Sequence, residues 1–441
     1  MNAFFWSRRK KSSKEIILTI DELIKHMASS DLIAQTLSAL SIQDAMDDGR
    51  TECNNLTTRY ESDEPGDSEN DGNSDEVLRV AMDQDTHTNG TSNGVENTIP
   101  KELERCWFQL RSIFHGWDEN QSDREKRMNR VTQLLLRHRI MEKTLLPAVM
   151  TKLTFETRKC VGNVFRAITV HNLQGFTQFL ENQPEIMIWL TEGYRSNDTA
   201  LACGSMLRDC FEYECLAVHF LRDLKSEFAY LFQVVRTNSN FEVASDAFMN
   251  ITRLLMAHKK ATVDCLDRDF DRIFGLLNGL LDTSNYVTKR QALQLLSELL
   301  LDPVNFVVMQ RYISARNTLR LVMLLLREPS DALRMDAFHV FKIFVANPHK
   351  SDEVKQLLMR NRDKLLSYVK EFGKNETNRD FLQERSLLIF TLQRMNEPLT
   401  QDPNPPNSGP ISSITSSASS SVSSSSSDMG TKLLPMSKAE V

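Results

Sequence analysis

Few residues of this chain have the type and spacing to carry out chemistry, and most of them lie in one segment. Cys203, Cys210, Cys215 and His219 are close enough in sequence to suggest a zinc site or a reactive thiol. Their spacing matches no zinc-binding pattern, so we interpret the cysteines as buried structural thiols. His339 lies inside the apolar stretch DAFHVFKIF. No nucleophile or carboxylate partner is suggested nearby, so we interpret it as a satisfied helix histidine rather than a catalytic base.

An acidic stretch, DSENDGNSDEVL, resembles the start of a calcium-binding loop at Asp67, Glu69, Asp71 and Gly72. The last position of such a loop would be Leu78, where calcium needs a bidentate glutamate, and no helical pattern precedes the stretch. Phosphate-binding glycine loops, HExxH, GxSxG and the kinase signature motifs do not occur either. The sequence therefore predicts no enzyme, no cofactor and no metal site.

The composition indicates a helical protein of a reducing compartment. Only 15 Gly and 13 Pro occur in 441 residues, which argues against a turn-rich β protein. The number of cysteines, seven, is odd and shows no pairing pattern, so we predict a cytoplasmic location. A net charge of -6 gives no indication of nucleic-acid binding. No apolar run is long enough to predict a transmembrane segment.

Changes in composition divide the chain into four regions. Residues 1–41 contain an N-terminal helical segment with apolar residues at helical spacing. Residues 42–100 are rich in Asp, Glu, Asn, Gly and Ser and are predicted to be a disordered acidic insertion. Residues 101–396 form a dense helical region, and residues 397–441 are predicted to be a disordered Ser-rich tail.

The helical region contains a repeat. The segments LACGSMLRDC, DAFMNITRLL, QALQLLSELL and DAFHVFKIFV begin 45 residues apart and align Ala202, Ala247, Ala292 and Ala337. Larger apolar residues follow at spacings that lie on one face of a helix. A helical repeat of this length is typical of HEAT and armadillo proteins, in which neighbouring repeats bury each other's apolar faces. The sequence therefore predicts an all-α fold, an α-solenoid of armadillo/HEAT-like repeats.

The same register predicts which residues are neighbours on the surface of the repeats. Ser196, Phe241, Tyr286 and Asp331 each stand six residues before an aligned alanine, so Phe241 and Tyr286 are expected side by side. Arg290 follows Tyr286 by one helical turn. Aromatic residues together with arginine are typical of protein-binding hot spots. The alternative, that both aromatic side chains belong to the core, is equally compatible with the sequence.

Three segments closely resemble the calcium-binding protein 39 family: FEVASDAF (241–248), NYVTKRQALQLLSELLLD (285–302) and DAFHVFKIFVANPHK (336–350). The resemblance covers about 101–396 and is strongest over 241–350. It implies a scaffold with a concave face. Members of this family bind STRAD pseudokinases and related sterile-twenty kinases, hold the regulatory helix in its active position, and take up a C-terminal tail of the partner.

The resemblance also implies the residues that would make these contacts. The kinase-binding surface would include Phe241, Tyr286, Arg290 and Met323. The site for the partner's tail would draw on Met323, Arg320 and Arg360. The implied function is a non-enzymatic scaffold that binds and allosterically activates a protein kinase or pseudokinase. A helical-repeat adaptor in trafficking or transport is the alternative.

Overall fold

The computed structural model describes residues 11–27, 98–115 and 121–395. Every regular element in these ranges is helical, with twenty α-helices and three short 3-10 helices, so the predicted all-α fold class is confirmed. The predicted tail at 397–441 lies outside the described residues. The predicted insertion at 42–100 lies outside them as well, apart from its last three residues, where a helix begins at Ile99.

Contacts divide the chain into two compact units, residues 1–216 and 217–441. The first unit contains nine α-helices in the described ranges: α1 (Ser13–Met27), α2 (Ile99–His115), α3 (Gln121–Arg137), α4 (Ile140–Leu145), α5 (Pro147–Met150), α6 (Phe155–Val170), α7 (Phe176–Asn182), α8 (Glu185–Glu192) and α9 (Asn197–Cys210). Its two 3-10 helices are Leu173–Gly175 and Gly193–Arg195.

Helix α1 shows how the first unit is assembled. Its apolar side chains Ile16, Ile17, Ile20 and Ile24 follow helical spacing and are all buried. They pack against α2, α3 and α4, and α2 in turn packs against α6. Of the predicted N-terminal helical segment, 1–41, the structure describes residues 11–27, and the helix within them packs into this unit; the rest of the segment lies outside the described residues.

The second unit contains the remaining helices, of which the first begins just before the unit boundary: α10 (Glu214–Asp223), α11 (Lys225–Thr237), α12 (Phe241–Met256), α13 (Lys259–Arg268), α14 (Phe270–Leu281), α15 (Tyr286–Leu301), α16 (Phe306–Ser314), α17 (Arg316–Leu325), α18 (Asp331–Ala346), α19 (Asp352–Glu371) and α20 (Arg379–Arg394). A 3-10 helix, Pro303–Asn305, joins α15 to α16. Helix α15 packs between α12 and α18, so helices that are one repeat apart in sequence are neighbours in space.

The predicted repeat is present in this unit. Helices α12, α15 and α18 begin 45 residues apart, as the aligned segments do. Ala247, Ala292 and Ala337 are completely buried. The period of the sequence is therefore the period of the stacked helices.

The predicted alignment of the first segment is wrong by one residue. Helix α9 begins at Asn197, which is 44 residues before Phe241 rather than 45. Ala202 is consequently only half-buried. Cys203 occupies the buried position that corresponds to Ala247, Ala292 and Ala337 in the later repeats. This first spacing is thus one residue shorter than the later ones, which composition alone does not reveal.

Ion pairs also join successive repeats of the second unit. Lys225 binds Asp269 at 3.0 Å, and Lys289 binds Glu328 at 2.6 Å. A further pair, Lys342 with Glu384 at 2.6 Å, joins α18 to α20 and has little exposure to solvent. Partners that are about one repeat apart in sequence thus reinforce the apolar stacking.

In the part of the chain that the structure describes, no single helix is long and apolar enough to cross a membrane. Helix α15 and the residues Pro303–Ser314 pass such a test together by length and composition alone, but the chain bends by 76° between them.

Candidate protein-binding surface

Phe241 and Tyr286 occupy the first position of two neighbouring helices, α12 and α15. The side chain of the preceding residue caps each helix: Asn240 accepts a hydrogen bond from the backbone N–H of Glu242, and Asn285 accepts one from that of Val287. Phe241 is 60% exposed and Tyr286 is 44% exposed. The alternative that these aromatic side chains belong to the core is therefore excluded.

Arg290 lies one turn after Tyr286 on α15, and an ion pair holds it in place. Its Nε donates to Oδ2 of Asp336 on α18 at 3.2 Å. Gln294, another turn along α15, donates to the same oxygen at 3.4 Å. Burial raises the pKa of Asp336, although the Arg290 guanidinium and the two hydrogen bonds act in the opposite direction. We call Phe241, Tyr286 and Arg290 the aromatic–arginine surface.

Arg320, Met323 and Arg360 form a second group, which we call the tail site. Arg320 and Met323 lie three residues apart on α17, and α17 packs against α19, which carries Arg360. Met323 is half-buried, whereas both arginines are exposed. Neither guanidinium makes an ion pair with any residue that the structure describes. Their charge is therefore available to a ligand.

The two groups lie on different helices. Arg290 of the aromatic–arginine surface is on α15, whereas Met323, which the sequence assigned to both groups, is on α17. Both helices pack against α18, so α18 is the element that the two groups share.

Two residues of this region escaped the sequence analysis. Met249 is 52% exposed and lies two turns after Phe241 on the same face of α12, where an unbranched apolar side chain can adapt to a guest. Asp336 was hidden inside the segment DAFHVFKIF. Its signal was its distance from Arg290, 46 residues, which is close to one repeat.

The cysteines and the histidine that were considered as a zinc site or a reactive thiol do not form such a site in the described residues. Cys203 and Cys210 are buried, as expected, and burial raises the pKa of Cys203 to about 12. Cys215 is exposed, contrary to the prediction. His219 makes a short contact with Asp223, from Nδ1 to Oδ2 at 2.9 Å. In the described ranges, no cluster of three or more His, Cys, Asp or Glu side chains could hold a metal ion.

His339 was predicted to be a helix histidine whose hydrogen bonds are satisfied, and the structure does not agree. Its Nδ1 is buried and has no hydrogen-bond partner. Burial, reinforced by the neighbouring Lys342, lowers the pKa of His339 to about 4, while Glu384 acts in the opposite direction. The imidazole is therefore neutral at physiological pH, and the half-buried ring lies beside Phe338.

Comparison with known proteins gives the family. A model of the family described as Mo25-like matches residues 68–396. MO25-like protein 2 of Caenorhabditis elegans is 37% identical over 315 residues, which cover 70% of this chain and 90% of that protein. The degreening-related gene dee76 protein of Auxenochlorella protothecoides is 34% identical over 305 residues, with coverages of 68% and 93%. Calcium-binding protein 39-like of Homo sapiens is 38% identical over 256 residues, with coverages of 57% and 75%.

Proposed function

Because the chain belongs to the Mo25-like family and is a helical scaffold protein, we propose that it binds a protein kinase or pseudokinase of the STRAD or sterile-twenty type and activates it allosterically. In this proposal the scaffold is not an enzyme and acts in the cytoplasm. The observation that carries the proposal is the exposure of Phe241 and Tyr286 at the start of neighbouring helices, with Arg290 one turn away.

The aromatic–arginine surface has the composition of a binding hot spot. Tyrosine, phenylalanine and arginine offer large contact areas, and aromatic side chains lose little conformational entropy when they are buried by a partner. Single exposed aromatic side chains are common on protein surfaces, but here two of them start neighbouring helices and an arginine lies one turn from the second. Their exposure on capped, rigid helices therefore supports a role in recognition.

Activation requires that the scaffold bind the active conformation of the kinase more tightly than the inactive one. A shift from a mostly inactive to a mostly active population needs about 5.5 kcal/mol of differential binding. A few hot-spot side chains, each contributing about 2 kcal/mol, supply a difference of this size if they contact only the active conformation. No chemistry by the scaffold is required.

The tail site would bind a C-terminal tail of the same partner. Arg320 and Arg360 offer two guanidinium groups without ion pairs among the described residues, which suits an acidic segment. Met323 offers an adaptable apolar contact for an aromatic side chain of that segment. Because the arginines are exposed, this part of the binding is expected to weaken as salt is added.

The test uses the full chain and two purified probes, a STRAD-type pseudokinase domain and a sterile-twenty-type kinase. We expect the double variant Tyr286→Ala/Arg290→Ala to bind the probes at least about thirtyfold more weakly than the unchanged protein. Activation of the kinase should fall in parallel. Helicity should stay nearly unchanged, because neither side chain belongs to the apolar core. Loss of the Arg290–Asp336 ion pair should lower the melting temperature only modestly, since Gln294 still donates a hydrogen bond to Asp336.

The chain offers a matched control. Phe306 is also the first residue of a helix, α16, and is also exposed, and Arg268 is an exposed arginine at the end of α13. The variant Phe306→Ala/Arg268→Ala makes the same chemical change elsewhere in the same unit and should bind normally. If Tyr286→Ala/Arg290→Ala folds and activates the kinase fully, the proposed surface is wrong. If the unchanged protein binds neither probe, the kinase proposal itself fails.

A further inference from the structure

Arg290 is connected to its neighbours through only one of its three guanidinium nitrogens. Nε donates to Asp336, whereas Nη1 and Nη2 make no hydrogen bond with the residues that the structure describes. The side chain is 38% exposed. A guanidinium that is held at Nε presents its two terminal nitrogens in a fixed plane, which is the geometry for bidentate binding of a carboxylate or phosphate.

The carboxylate that holds Arg290 is itself held in place. Asp336 lies on α18, which packs along α15, and its side chain is only 17% exposed. Its Oδ2 accepts hydrogen bonds from two residues of α15, Arg290 and Gln294, which are one turn apart. A side chain with two partners on a neighbouring helix has little freedom to move, so it can restrict the arginine in turn.

Resting on the proposed function, we infer that Asp336 is a positioning residue for partner binding, which orders the Arg290 side chain before the partner arrives. Without Asp336, the long arginine side chain would be ordered only on binding. Ordering one such side chain costs enough free energy to weaken binding about three- to tenfold. Asp336 would thus act on affinity through Arg290 and need not touch the partner.

A neighbouring ion pair supplies the control. Lys289, the residue before Arg290, binds Glu328 at 2.6 Å, and it also joins one repeat to the next. Lys289 is 13% exposed, so it is far less available to a partner than Arg290. Glu328→Gln removes an inter-repeat ion pair of the same kind without freeing Arg290.

The experiment measures binding of the full chain to the STRAD-type pseudokinase domain by titration calorimetry, with melting temperatures recorded for each variant. We expect Asp336→Asn to weaken binding about three- to tenfold and Glu328→Gln to leave it unchanged. In an Arg290→Ala background, Asp336→Asn should have no further effect, because the side chain that it orders is gone. An equal loss in both backgrounds, or an equal loss for Glu328→Gln, would show a merely structural role and overturn the inference.

The failure of the inference can be separated from the failure of the proposed function. If Arg290→Ala binds normally, the proposed surface is wrong, and the inference falls with it. If Arg290→Ala weakens binding but Asp336→Asn does not, only the inference is overturned. If Asp336→Asn fails to fold, Arg290→Lys replaces it. A lysine carries a single nitrogen, so it cannot be held by Asp336 at one nitrogen while it presents two others in a fixed plane to the partner, and binding should fall nearly as far as in Arg290→Ala. Binding of Arg290→Lys at the unchanged level contradicts the inference.

Discussion

Burial decides which side chains of this protein are available for chemistry or recognition. The thiol of Cys203 has a pKa raised to about 12 by burial, so it stays protonated and unreactive. His339 is kept neutral for the corresponding reason. By contrast, Arg290, Arg320 and Arg360 reach solvent and keep their charge where a partner can meet it.

The depressed pKa of His339 leads to a prediction about stability. The unfolded chain binds a proton at this histidine between about pH 4 and 6.5, whereas the folded protein does not. The free energy of unfolding therefore falls as the pH drops through this window, and between pH 7 and 5 the contribution is about 1–2 kcal/mol. His339→Gln should lose correspondingly less stability on acidification. Urea unfolding of both proteins at the two pH values measures the difference.

Other groups titrate in the same range, so the comparison between the two proteins matters rather than either curve alone. Lys342 and Glu384 face His339 and are present in both. If the unchanged protein and His339→Gln lose the same free energy between pH 7 and 5, the histidine is not kept neutral by the fold, and this account of its environment is wrong.

Side-chain caps set where the repeat helices begin, and the beginnings carry the candidate site. Asn240, Asn285 and Ser330 cap α12, α15 and α18. Each cap satisfies backbone N–H groups that have no partner inside the helix. Since Phe241 and Tyr286 directly follow two of these caps, each cap also fixes the backbone position from which the aromatic side chain extends.

Removal of one cap is predicted to weaken the fold measurably. Asn285 accepts hydrogen bonds from the backbone N–H groups of Val287 at 3.0 Å and Thr288 at 3.2 Å. Asn285→Ala should lower the free energy of unfolding by about 1 kcal/mol. Asn285→Asp keeps a capping oxygen and should restore most of that loss. Chemical denaturation measures both, and equal stability of the two variants would show that the cap contributes nothing.

At the scale of the whole molecule, the described helices build two compact units, and the candidate residues all belong to the second. In the first unit, Asp21 of α1 forms an ion pair with Lys143 of α4 at 3.0 Å. This contact joins residues that are far apart in sequence, on either side of the acidic segment. Helix α1 thus packs as part of the first unit.

Limited proteolysis tests the predicted division of the chain. From composition, we expect a broad-specificity protease to cut first within 42–100 and within 397–441, and to leave a stable helical product. Because α1 packs into the first unit, the fragment that contains it should remain bound after the cut and elute with the rest in gel filtration. Mass spectrometry of the product identifies the sites. First cuts between residues 200 and 350 would contradict this organisation.

Much of the fold could be derived from local patterns in the sequence. The 45-residue spacing that aligns Ala247, Ala292 and Ala337 is the spacing of α12, α15 and α18, since a helical repeat buries the same position in each copy. The segments around Arg290 and His339 also led to the family. Periodicity and short motifs are local properties, so they can be recognised in the sequence without knowledge of how the helices pack.

Only the tertiary structure decided which faces are covered. Helical spacing could not tell whether Phe241 and Tyr286 are buried, because burial depends on helices from other repeats. The same dependence explains the register of α9, where a spacing one residue shorter moved Cys203 into the alanine position. It also explains why Asp336 was not recognised, since its contact with Arg290 depends on α18 lying against α15. Contacts between distant parts of the chain carry no local signal, so they become visible only when the helices are stacked.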